Sequence, residues 1–230
     1  MKYFPLPDKR TSIFPRHTLQ EINSWWLFAG ITAVYLFSSY YLQTQVLTSE
    51  VYYNSLGAQF TADQVEQFIQ TRQSAGIAGY LLVPVVLMAK LLFTFFCIYT
   101  GLLLTAQQVA FRDLFKVVLF AESAFVLATL TKLVLMAFFI NLETFDSIRF
   151  FAPLSLLSFF NPADVPNYLV YPLQTISFFE VLYIILLAAG LQHYMGRPFK
   201  KMLILVVSSY GPGLLTWMAL IAFIVVSMSN

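Results

Sequence analysis

The chain has 230 residues, of which 59% are hydrophobic and only 10% charged, and its mean hydropathy is +0.75. A soluble domain carries about a quarter charged residues, so this composition excludes an ordinary water-soluble fold and points to a polytopic membrane protein. The net charge of +2 is too small for a nucleic-acid binder, and the single cysteine, Cys97, excludes an intrachain disulfide.

Residues 1–24 form a basic, proline-interrupted tail with Lys2, Lys9, Arg10 and Arg16 against Asp8 and Glu21. It does not read as a cleavable signal peptide. The membrane domain then fills 25–230. Span one is expected at about 25–42, opened by Trp25 and Trp26 and closed by Tyr40 and Tyr41, aromatics that favour the two headgroup zones. A polar stretch, Gln43 to Gly79, follows. In it Thr61-Ala-Asp-Gln64 has the form of a capping box, and Val65, Phe68 and Ile69 share one helical face, which predicts a short amphipathic helix.

Span two is expected at about 80–105, with Pro84 in its first turns and Lys90 near mid-bilayer. Span three follows at about 117–140, after a loop carrying Arg112 and Lys116. It places Glu122 some 8 Å from the cytoplasmic face, where it would reach Lys116 or the headgroups, and Lys132 some 8–12 Å from the outer face. Phe150 to Phe160 is apolar but too short to cross, and reads as an interfacial or re-entrant helix before span four. Span four, about 171–193, holds one carboxylate, Glu180, near its middle. Span five, about 203–228, is interrupted by Gly211-Pro212-Gly213, a helix-break or hinge.

The basic residues set an orientation. With five alternating spans and the N-terminus inside, the inner segments hold nine Lys or Arg (Lys2, Lys9, Arg10, Arg16, Arg112, Lys116, Arg197, Lys200 and Lys201) and the outer loops hold Arg72 and Arg149. Excess positive charge marks the cytoplasmic side. The expected architecture is therefore an all-α bundle of five spans, N-in and C-out.

Ionised groups inside a bilayer face the bundle interior and pair. Lys90 and Glu180 fall at similar depth and Lys132 is within reach, so the expected feature is an intramembrane cluster of Lys90, Lys132 and Glu180 joining spans two, three and four. Its roles divide between fixing the packing, relaying protons or ions, and binding an anionic group. No HExxH, GxSxG, phosphate loop or CxxC is present, and His17 and His193 have no triad or metal partners in the sequence. An enzyme is not expected, nor is any cofactor or metal.

The second half of the chain also carries a resemblance. Phe178-Phe179-Glu180 in a long helix, Ala189-Gly190-Leu191 at its end, the basic link Gly196-Arg197-Pro198-Phe199-Lys200-Lys201 and a final apolar helix resemble the Yip (Ypt-interacting protein) family of five-span membrane proteins, in particular its bacterial members. The similarity covers about Val109 to Val226. The Asp-Leu-Tyr-Gly-Pro motif of the eukaryotic members is absent, the nearest text being Tyr210-Gly211-Pro212 in the last span, so their Rab GTPase binding is not carried over. The resemblance implies a non-catalytic accessory or organising subunit whose partners are membrane lipids and another membrane protein or further copies of itself. The alternative is a small transporter or channel subunit that uses the Lys90, Lys132 and Glu180 cluster.

Overall fold

The computed structural model describes residues 23–139, 143–161 and 164–229. The basic tail, with His17, lies outside the described residues. The rest is an all-α membrane bundle. Its helices are α1 (Ser24–Tyr41), α2 (Ser49–Leu56), α3 (Ala62–Leu104), α4 (Phe111–Ala121), α5 (Ser123–Phe138), α6 (Phe145–Phe150), α7 (Asn167–Thr175), α8 (Phe178–Met195) and α9 (Phe199–Ser229). Among the described residues, four stretches can cross a membrane by length and composition: Ala78–Leu104 of α3, Phe111–Phe138 across α4 and α5, Phe178–Met195, and Phe199–Met228. The first predicted span, α1, is helical over 18 residues but is not among the four, because Trp25, Trp26 and the Ser38-Ser39-Tyr40-Tyr41 end dilute its hydropathy.

The core is a stripe through this bundle. On α3 it comprises Leu87, Leu91, Phe95, Ile98 and Leu102, which recur every three or four residues and so share one face. Against it lie Leu114, Val117 and Val118 of α4, Tyr183, Leu187 and Leu191 of α8, and Leu205, Val206 and Tyr210 of α9. The α1 helix runs beside α3, α4 and α5, and contributes Ile31. The other faces expose residues such as Leu81, Phe96, Phe138 and Phe223, as lipid-facing surfaces must.

Small residues set the closest approaches. A Cβ on Gly101 would lie 2.5 Å from Ser209 Cβ, and one on Gly213 would lie 2.6 Å from Cys97 Sγ. The rings of Phe93 and Trp217 meet one turn further on, 5.7 Å apart. The α3 and α9 helices are thus antiparallel along a seam of positions four residues apart, the small-xxx-small geometry that lets membrane helices approach closely. Gly190 does the same for α8 on α4, where an added Cβ would sit 2.6 Å from Val117 Cγ1. Between these two pairs, the ends of α3 and α8 fall with the starts of α4 and α9. Arg112, Lys116, Arg197, Lys200 and Lys201 therefore gather at one end of the bundle, and Arg72 and Arg149 lie toward the other.

Several expected boundaries change. The amphipathic helix and span two are one 43-residue helix, α3, capped as expected at Thr61, whose N–H donates to Gln64 Oε1 at 3.0 Å. Its first turns pack Val65 and Ile69 against Tyr52 of α2 and Phe145 of α6, forming a small satellite core at the end away from the basic loops. Phe68 shares that stretch but is exposed. Span three begins at Phe111, not 117, because Phe111, Leu114, Phe115 and Val118 already follow helical spacing through the basic residues. Its far end at Ile140 lies outside the described residues.

Phe150 to Phe160 is not a helix. The chain is extended or turned after Phe150 and makes only a 3-10 turn at Leu156–Phe159. It pairs instead with a break in span four: Leu156 N–H donates to Ile176 O at 2.8 Å and Phe178 N–H to Leu154 O at 2.9 Å. Span four is consequently two helices, α7 and α8, hinged at Ile176–Ser177. The last span, conversely, stays helical through Gly211-Pro212-Gly213.

Candidate functional site: an interior ion pair beside a cavity

Counting along each helix from the end that carries the basic loops, at 1.5 Å per residue, puts Glu122 and Tyr210 at about 16 Å, Lys90 at about 21 Å and Glu180 at about 22 Å. They form one polar layer in an apolar bundle. Glu122 sits at the joint between α4 and α5 and is fully buried. Lys90 Nζ of α3 reaches its Oε1 at 2.8 Å, and Tyr35 of α1 donates its hydroxyl to the same oxygen at 2.7 Å. The ammonium also lies 3.4 Å from the centroid of the Phe125 ring. Three chain segments are thereby tied to one carboxylate. Both contacts fall on Oε1, so the buried charge is paired and hydrogen-bonded there, while Oε2 is buried with no hydrogen-bond partner among the described residues.

This corrects the expectation for Glu122, which neither reaches Lys116 nor approaches the headgroups. The error followed from starting span three six residues late: the added turns carry Glu122 from about 8 Å to about 16 Å deep. Periodicity through Phe111, Leu114, Phe115 and Val118 was the signal that would have placed it.

Glu180 lies in the first turn of α8, with Ser177 Oγ capping its backbone N–H at 3.2 Å. Its Oε1 accepts a hydrogen bond from Tyr210 of α9 at 2.9 Å, while Tyr183, one turn on, donates to Thr94 of α3 at 3.1 Å. Lys90, Lys132 and Glu180 do line one cavity, but the ion pair within 4 Å is Lys90 with Glu122. Lys132 is half-buried on α5, two turns beyond Phe125. Gly211, Pro212 and Gly213 are not among the residues lining the cavity, although Tyr210, directly before them, bonds Glu180. Gly213 touches Cys97, whereas a Cβ on Gly211 would meet nothing within 4 Å. His193 is half-buried at the end of α8, its ring edge-on to Tyr194.

The cavity, about 1060 Å³, is bounded by α3, α5, α7, α8, α9 and the 152–155 segment. Its walls are mostly apolar. Polar groups line the side made by the span-four break: Gln174, Thr175, Ser177 and Ser155. Interrupted backbone within a membrane is tolerated where it is covered by protein or lines a cavity, and both apply here. Leu154, beside the break, holds a left-handed φ of 57°, a strained conformation for a branched side chain. Among the described residues, no group of three or more His, Cys, Asp or Glu is placed to hold a metal ion.

Fold and site together define a polytopic α-helical membrane protein with a paired ionic interior. No family model, curated protein or solved structure matches the chain.

Proposed function

We propose that this is a non-catalytic integral membrane protein of five spans, N-in and C-out, that serves as an accessory or organising subunit of a membrane complex in a bacterial inner membrane. The observation that supports a structural use of the interior charge is the Lys90–Glu122–Tyr35 clamp. Its carboxylate is sealed from solvent and both its protein partners come from other helices, which fixes helix arrangement in a medium where apolar contacts alone discriminate poorly. The α1 helix supplies the fifth crossing: 18 residues rise about 27 Å, aromatic pairs stand at both ends, and Tyr35 enters the clamp. The orientation follows from the positive-inside bias of the end bearing Arg112, Lys116, Arg197, Lys200 and Lys201. The Yip-like pattern at Phe178–Lys201 agrees with this reading.

A small transporter or channel subunit is the second reading, favoured by the cavity that Lys90, Lys132 and Glu180 share. Gentle extraction followed by native mass measurement separates the two. A stoichiometric membrane-protein companion is the expected result. A lone chain or homo-oligomer that moves ions in proteoliposomes, and stops when Glu180 is changed to Gln, overturns the accessory reading in favour of transport.

A further inference from the structure

The cavity's charges are unevenly used. Lys90 is neutralised by Glu122. Lys132 and Glu180 line the same cavity from α5 and α8, and among the described residues neither has an oppositely charged atom within 4 Å. The four groups, two cations and two carboxylates, sum to zero. Adding a net charge to such a site costs several kcal/mol, because desolvation outweighs attraction unless every charge is matched. A net-neutral occupant that carries one positive and one negative group satisfies both the total and the two separate ends.

The spacing sets the kind of group. Phe125 of α5 and Tyr183 of α8 are at one level, their rings 4.8 Å apart. The two helices are antiparallel, so Lys132 rises about 10 Å from that level and Glu180 about 4.5 Å in the same direction. The Cα positions of the two residues thus differ in level by about 6 Å along the axis. An ammonium joined to a phosphate through a two-carbon link bridges a gap of that order, with the flexible lysine stem closing the remainder.

The walls name the rest of the molecule. Val86 and Phe96 of α3 both line the cavity and are 63% and 59% exposed, ten residues apart. The cavity therefore opens along about 15 Å of α3 onto a surface that faces acyl chains in the membrane. At about 1060 Å³ it stands at the upper end of ordinary ligand sites, roughly 300–1000 Å³. Thr175 and Ser177 supply polar groups to the same cavity from the break before α8.

We propose that the cavity binds one zwitterionic phospholipid of the phosphatidylethanolamine type, with its ammonium on Glu180, its phosphate on Lys132 and its acyl chains along α3. The primary ammonium donates hydrogen bonds to the Glu180 carboxylate, whose Oε1 already accepts one from Tyr210. The proposal requires neither a protein partner nor transport, so it stands or falls apart from the function proposed above.

The test uses the full chain purified in mild detergent. Phosphatidylethanolamine and phosphatidylglycerol are titrated separately and one-to-one adducts are read by native mass spectrometry. Phosphatidylethanolamine is expected to bind at least about tenfold more tightly, a difference of about 1.4 kcal/mol. Glu180→Gln should abolish that preference, and Lys132→Gln should weaken both lipids. Equal retention of the two lipids by the unmodified chain overturns the proposal, as does a folded Glu180→Gln variant with the preference intact. If Glu180→Gln does not fold, Lys132→Gln decides: unchanged phosphatidylethanolamine binding overturns it. Phosphoethanolamine without acyl chains, if it binds as tightly as the lipid, overturns the lipid assignment.

Discussion

The clamp at Glu122 predicts a specific non-additivity. Lys90→Met leaves a fully buried carboxylate with Tyr35 as its one remaining partner among the described residues. Breaking a buried pair in this way costs about 3–5 kcal/mol. The lower end applies here, because the Lys90 side chain is 38% exposed. Glu122→Gln should cost less, about 1–2 kcal/mol, since the lysine keeps its contact with Phe125 and faces the cavity. The double variant removes both charges together, so its cost should fall short of the sum by about 2 kcal/mol. For a chain of this size, 1 kcal/mol moves the melting midpoint by roughly 2–4 °C, which puts Lys90→Met about 6–12 °C below the parent. Thermal unfolding in detergent, followed by fluorescence-detected size exclusion, measures all four proteins. A double variant whose loss equals the sum of the single losses, or a Lys90→Met protein that melts with the parent, refutes the reasoning.

Other outcomes follow from the packing. Gly213→Ala pushes a methyl into Cys97 and should destabilise by about 1–3 kcal/mol, while Gly211→Ala meets nothing and should be neutral or stabilising by up to about 1 kcal/mol. Equal effects at both positions in the same melting assay argue that the segment is a hinge rather than a seam. With Cys97 replaced by Ser, a cysteine placed at exposed Lys200 should react with an impermeant reagent only after cells are opened, and one at exposed Glu66 should react in intact cells. Labelling of both from the same side contradicts the proposed orientation. Gly190→Leu should be more damaging than either alanine, since even a Cβ there would sit 2.6 Å from Val117. The same unfolding measurement reads it, and a parent-like midpoint shows that α4 and α8 part easily.

Much of the architecture is visible in the residues themselves. A helix that must bridge about 30 Å of hydrocarbon needs about 20 apolar residues, and Ala78–Leu104, Phe111–Phe138, Phe178–Met195 and Phe199–Met228 announce themselves that way. The capping box at Thr61 is equally local, because two side chains three residues apart make it. The interior partners are less legible. Leu87, Leu91 and Phe95 face the core while Leu81, Leu82 and Phe96 face outward, yet all are large and apolar. In a soluble helix polarity marks the outer face. In lipid both faces are apolar, and hydrophobic pattern no longer says which side packs. Tyr35, Tyr210 and Thr94 were missed as partners for the same reason: a single hydroxyl in a long apolar helix looks alike whether it meets a carboxylate or lipid.

By itself, then, the sequence determined the medium, the helical class, most of the crossings and the clustering of Lys and Arg in particular connections, since each depends on composition or on neighbours within one turn. Tertiary structure decided which charges meet. Lys90 pairs with Glu122 rather than Glu180 because α4 begins at Phe111 and because α3 and α9 close upon Gly101 and Gly213. It also decided that the chain breaks between α7 and α8 at Ile176–Ser177 while Gly211-Pro212-Gly213 does not break α9. A helix interrupts where neighbouring backbone can take over its hydrogen bonds, as the 154–156 segment does for Ile176 and Phe178, and that neighbour comes from a distant part of the chain.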